Sequence, residues 1–180
     1  MLTYVHRRSA LEDPYVALAA ASVEAFVGRG DVIAPPDPLP AGLARRAAAF
    51  VSLKRGGALR GCIGTFLPAR ETLAQEIIQN AIRSASVDPR FPPVSPAELG
   101  ELSYAVDVLS PPQPCREEDL DPARYGVIVE RGGRRGLLLP DLPEVDTVDT
   151  QLRIARMKAG IGPDEPVALH RFTVERHTAE

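Results

Sequence analysis

Apolar residues recur along this chain at two spacings, and the switches between them mark out its elements. Val16, Leu18, Ala19, Ala20, Val23, Phe26 and Val27 follow Asp13 and Pro14. This reads as an N-cap, a proline at the first helical position, and a helix over 14–27 that stops near Gly28 and Gly30. Leu73, Ile77, Ile78, Ala81, Ile82 and Ala85 recur at helical spacing behind Thr72 and Gln75, a capping-box pair, and predict a helix over 73–85. Leu152, Ile154, Ala155 and Met157 predict a third over 149–159, capped by Thr147 or Asp149 and closed by Gly160 after Lys158. Between these the period falls to two. Runs at 48–54 and 59–66 flank Gly56 and Gly57, and runs at 125–130 and 135–139 flank Gly132 and Gly133, so each pair reads as a β-hairpin. Further strands are expected at 104–109 and 167–174, and a short helix from Pro96 to about Leu102 behind Ser95 and Glu98. Prolines cluster at 34–40, 89–96 and 111–114, where the chain must turn.

This order lacks the regular alternation of a doubly wound fold. The expected class is α+β: an antiparallel or mixed sheet built around two β-hairpins, with three main helices packed on it. The chain, 1–180, reads as a single domain in which the proline-rich segments leave room for a small second lobe.

The stretch richest in chemistry is Leu59-Arg-Gly-Cys-Ile-Gly-Thr-Phe66. As a strand it places Arg60, Cys62, Gly64 and Phe66 on one face and Leu59, Gly61, Ile63 and Thr65 on the other. A guanidinium beside Cys62 would favour the thiolate, and Gly61 and Gly64 leave the backbone bare for a ligand or for another backbone. Against this stands the ordinary behaviour of a free cysteine, a small and buried apolar residue. Asn80 borders the apolar face of its helix, either orienting a ligand or satisfied beside the core. Asp88 and Arg90, in a loop stiffened by Pro89, Pro92 and Pro93, either pair with each other or face a ligand.

This octapeptide resembles the signature of the AMMECR domain family, called AmmeMemoRadiSam system protein A in prokaryotes. Asp88-Pro-Arg-Phe-Pro-Pro93, Val108-Leu-Ser-Pro-Pro112, the run from Gly126 to Gly136, Leu139-Pro140 and Lys158-Ala-Gly160 follow in the family's order, so the resemblance covers about residues 11–177. It implies a protein without settled activity, associated with a Memo-type protein and a radical S-adenosylmethionine protein. Members usually carry a longer, tryptophan-containing segment before the last helix, and this chain has no tryptophan. Position 115 is usually apolar in the family, which makes Cys115 a packing residue.

Charge narrows the partners. Lys plus Arg is 21 against Asp plus Glu at 24, a net of -3, so the basic excess of a dedicated nucleic-acid binder is missing. The basic tip formed by Arg131, Arg134 and Arg135 could meet phosphates, but few aromatics accompany it, and nucleic acid is not expected as a partner. The acidic run at 117–121 reads as a solvated loop. His6, His170 and His177 show no metal-ligand spacing; no metal and no cofactor are expected. With no signal-peptide pattern and no membrane-length apolar run, a cytoplasmic protein with reduced thiols is expected.

Two main functional readings remain, with nucleic-acid binding through Arg131, Arg134 and Arg135 as a weaker third. One is a module that binds a small ligand or a protein partner, with Arg60, Gly61, Gly64, Asn80, Asp88 and Arg90 shaping the site and Cys62 as a packed wall. The other is an enzyme in which Arg60 activates Cys62 as a nucleophile.

Overall fold

A computed structural model describes residues 13–178, and their backbone divides into two compact units: residues up to Val108 together with those from Arg176, and Leu109–Glu175. The class is α+β, and each hairpin is the nucleus of its own four-stranded sheet.

In the first unit, helix α1 spans Pro14–Arg29. Asp13 accepts the Tyr15 and Val16 N–H groups with one carboxylate oxygen, and Gly30 closes the helix in the left-handed region. These bonds satisfy backbone groups that the helix itself leaves open. A single turn, α2 (Ala41–Ala44), leads into β1 (Ala48–Arg55) and β2 (Ala58–Gly64). Gly56 and Gly57, with φ of 57° and 83°, supply the positive dihedrals of the connecting turn. Helix α3 (Leu73–Ser86) starts in the expected capping box of Thr72 and Gln75. The segment behind Ser95 and Glu98 is a 3₁₀ helix, Pro96–Glu101, leading into β3 (Leu102–Leu109). The sheet order is β2-β1-β3-β8, where β8 is Val174–Thr178. Its core joins Val16 and Val23 of α1, Leu73 and Ile77 of α3, Val51 and Leu53 of β1 and Val106 of β3, all fully buried.

In the second unit, β4 (Gln113–Cys115), β5 (Gly126–Arg131), β6 (Arg134–Leu138) and β7 (Ala168–Phe172) form an antiparallel sheet ordered β4-β7-β5-β6. Helix α4 (Val148–Ala159) packs on the hairpin, burying Leu152 and Ala155 against Val127, Val129 and Leu138. The proline cluster at 111–114 was expected only to turn the chain, yet it runs into β4. Pro114 is tolerated there because β4 is an edge strand.

The last strand differs from expectation. The single strand read over 167–174 is two strands in two sheets, broken at Thr173. Its N–H donates to Ser110 Oγ (2.9 Å) and its carbonyl accepts from the Ser110 N–H (3.0 Å), so neither group is left for a ladder.

Candidate functional site

The signature is an edge strand, and its exposed edge is closed by side chains. Within the sheet, β2 is hydrogen-bonded to β1 alone, with Ser52 opposite Cys62 and Phe50 opposite Gly64. On the free edge the Cys62 N–H donates to Asp88 Oδ2 (2.8 Å), and the Cys62 carbonyl accepts from Arg90 Nη2 (3.1 Å). Arg90 also grips both oxygens of Asp88, at 2.9 and 2.7 Å. Asp88 and Arg90 therefore pair with each other, and the pair occupies the place of a neighbouring strand. Unpaired strand edges recruit other chains, and a charged cover is one way to prevent it. The Asp88 carboxyl lies far below the usual carboxylate range, chiefly because of its side-chain bonds to Arg90.

Arg60 performs a parallel task. Its guanidinium donates to both oxygens of Glu98 (2.7 and 3.2 Å) and to the carbonyls of Pro92 (2.9 Å) and Pro93 (3.3 Å). Glu98 also accepts from the Ser95 N–H and hydroxyl. Its carboxyl is lowered to about 2, first by Arg60. Both arginines approach the Phe91 ring, whose centroid is 6.0 Å from the Arg60 Cζ and 5.5 Å from the Arg90 Cζ. The loop from Asp88 to Glu98 is thus fastened to β2 at both ends.

The thiol itself sits half-buried, and Ser52 Oγ donates to its sulfur at 3.2 Å. Burial pushes the Cys62 pKa up, outweighing the lowering by Ser52 and Arg90, while Asp107 and Asp88 push in the same direction as burial. Arg90 is the cation that acts on the sulfur. Arg60, the sequence neighbour, spends its charge on Glu98. Asp107 is held by Arg176 Nε at 2.7 Å.

The opposite face of β2 explains the glycine. A Cβ at Gly61 would overlap the carbonyl oxygen of Ser84 on α3, so the strand meets the helix backbone directly. One at Gly64 would overlap the Phe50 ring. The Ser84 hydroxyl stands between the paired residues Val51 and Ile63, donating to the Val51 carbonyl (2.8 Å) and accepting the Ile63 N–H (2.8 Å). Asn80, one turn earlier and 1% exposed, donates to the Ala49 carbonyl (3.0 Å) and to Glu76 Oε1 (3.2 Å); its own Oδ1 has no protein partner. Glu76, also 1% exposed, accepts from the Thr65 hydroxyl and from the N–H groups of Ala69 and Arg70. A polar stripe of Glu76, Asn80 and Ser84 therefore holds the helix to the signature and to the loop after it. The spacing of four between these residues was the available signal, yet only Asn80 was singled out; Glu76, Ser84, Ser52, Glu98 and Asp107 were missed.

Other sequence candidates belong to other elements. Cys115 is half-buried in β4 and packs on the core of the second unit. At the hairpin tip, Arg131 and Arg134 both pair with Glu165, and Arg135 pairs with Glu130. His170 lies in β7, and His177 Nδ1 is 2.7 Å from Asp13 Oδ2 with its ring stacked on Tyr15. His6 is outside the described residues. Among the described residues, no three His, Cys, Asp or Glu side chains are placed to hold a metal ion, and no helix is long and apolar enough to cross a membrane.

The sequence profile of AMMECR1 matches residues 16–180. The chain belongs to the AMMECR1 family. It is 56% identical over 170 residues to a protein of Thermotoga maritima, covering 92% of this chain and 98% of that one. A protein of Clostridium acetobutylicum is 45% identical over 168 residues, with 92% of this chain matching 36% of the longer relative. The fold is similar to the crystal structure of uncharacterised protein PH0010 from Pyrococcus horikoshii, with a TM-score of 0.84 and 36% identity over 90% of this chain and 88% of that one.

Proposed function

We propose that this AMMECR1-family protein acts in the cytoplasm by binding, and that the Asp88–Pro93 loop on the edge of β2 is the surface it presents to a partner. The observation that carries the reading is the fastening of that loop. Charge-assisted bonds from Arg60 and Arg90 hold a proline-stiffened segment in one conformation, which removes much of the ordering cost of association. Arg90, with a side chain 54% exposed, faces outward from it, and Pro92 and Pro93 are exposed beside it.

The other candidate ligand groups support a surface partner over an enclosed small ligand. Gly61, Asn80 and Asp88 are buried, Gly64 is half-buried under Phe50, and the Arg60 side chain is only 13% exposed. The family's prokaryotic designation makes a Memo-type protein and a radical S-adenosylmethionine protein the partners to test. The enzyme reading needs an activated Cys62, and burial acts on that thiol in the opposite sense. The nucleic-acid reading loses its free charge, since each arginine of the basic tip is paired with a carboxylate.

Isothermal titration of this chain with a purified Memo-type protein and with a radical S-adenosylmethionine protein tests the reading. Saturable binding to either should survive Cys62→Ser within about threefold and weaken at least about tenfold, or roughly 1.4 kcal/mol, in Arg90→Ala/Phe91→Ala. Absence of binding to both, or loss of binding in a folded Cys62→Ser variant, contradicts it.

A further inference from the structure

A second surface of the first unit is lined by none of the residues of the Asp88–Pro93 loop. The segment after α1, the loop before α3 and the outer side of α3 enclose an open groove of about 880 Å³. Val32 and Ile33 form one apolar wall and Ile78 another, with Arg46, Arg70 and Glu71 among the charged lining residues. Val32 is 67% exposed, a high value for a β-branched apolar side chain.

Neither arginine of this groove holds a carboxylate among the described residues. Arg29, Arg55, Arg60, Arg90 and Arg176 each hold a carboxylate. Arg46 donates only to the Pro68 carbonyl and Arg70 only to the Gln79 side-chain oxygen, both at 3.3 Å, and both side chains are exposed. Among the described residues neither has an ion-pair partner. Two guanidiniums with unspent donors, beside the exposed Val32 side chain, complement a segment that carries both carboxylates and aliphatic groups.

We infer that this groove docks an extended acidic-apolar segment of a partner protein. The open mouth argues for a peptide: a small ligand is normally enclosed over most of its surface. Glu71 argues against nucleic acid, because it leaves the charged lining with a net of only +1 and repels a uniform polyanion. The surrounding protein is acidic, with a net charge of -3, so the positive groove is a local departure that orients an acidic segment toward it.

Fluorescence anisotropy with three labelled synthetic peptides of about eight residues tests the inference on the full chain. One peptide alternates Glu with Leu, one replaces Glu by Lys, and one replaces Leu by Ser. The Glu-Leu peptide should bind saturably and weaken at least about tenfold in Arg46→Glu and in Arg70→Glu, and severalfold in Val32→Ser and in about 0.5 M salt. The Lys-Leu and Glu-Ser peptides should bind at least about tenfold more weakly. Arg70→Gln and Arg46→Gln, with an unchanged circular dichroism spectrum, serve as milder variants should a reversal unfold the chain. Three results overturn the docking site: no binding of the Glu-Leu peptide, binding indifferent to the arginine variants, and tighter binding of a single-stranded oligonucleotide than of the peptide.

Discussion

Replacement of Gly61 by alanine probes the junction on which the signature depends. The added methyl would fall inside the van der Waals envelope of the Ser84 carbonyl oxygen and 3.1 Å from its carbon. Both are backbone atoms, so no rotamer change relieves the overlap. Either β2 or α3 must retreat, and the Ser84 hydroxyl, bonded at 2.8 Å to both Val51 and Ile63, is strained by either movement. Overpacking in a close-packed interior costs about 1–3 kcal/mol, and weakening one of these buried bonds adds about 1 kcal/mol. The expected loss is thus about 3 kcal/mol. Because two units need not unfold together, the quantity to read is the denaturant dependence of amide exchange in β2 and α3. With a urea slope of about 2 kcal/mol/M, the local midpoint should fall by about 1.5 M. Gly28→Ala is the internal control: it lies in α1 with nothing near its prospective Cβ, and should be neutral or stabilising by up to about 1 kcal/mol. A Gly61→Ala midpoint within about 0.3 M of the native protein would refute the account of direct strand-to-helix contact.

Glu76→Gln should cost about 2–4 kcal/mol, because an amide nitrogen replaces an oxygen that accepts either the Thr65 hydroxyl and Asn80 or two backbone N–H groups. Chemical denaturation together with proteolysis at residues 66–71 measures it, and a change below about 0.5 kcal/mol would show that the carboxylate is not the anchor of that loop. Asp88 and Glu98 both have lowered pKa values in the fold, so their stabilisation is fully present above the unfolded value near pH 4 and is lost as the pH falls through the folded values. Stability should decline from about pH 4 toward pH 2, and Asp88→Asn/Glu98→Gln should be less stable at neutral pH with a flatter acid limb. Parallel curves for the two proteins, from thermal melts across that range, would remove these carboxylates from the explanation.

The helices and hairpins were legible because each carries its own punctuation. Asp13 and Pro14, Thr72 and Gln75, and the paired glycines at 56–57 and 132–133 act locally, within a turn of the boundary they set. The break at Thr173 was not legible, since the residues on both sides are strand formers and the interruption comes from Ser110, 63 residues away. The same distance problem governs the site. Arg60 was the nearest cation to Cys62 along the chain, but the side chain that reaches the sulfur's own residue is Arg90, 28 positions on, and Arg60 is drawn off by Glu98, 38 positions on. Glycines at 61 and 64 mark close approach in either reading. Only the fold says that the approaching atoms are a helix carbonyl and a phenyl ring.

The central claim is that Cys62 is a structural thiol within a surface built for binding. The pH dependence of iodoacetamide labelling at Cys62 and Cys115 in the folded protein, read by peptide mass spectrometry, tests it most directly. The account predicts that Cys62 labels slowly, with a midpoint above the free-thiol value of about 8.5, and that Arg60→Ala leaves this midpoint in place. Rapid labelling of Cys62 near neutral pH, slowed when Arg60 is removed, would contradict the claim and return the signature to an activated nucleophile.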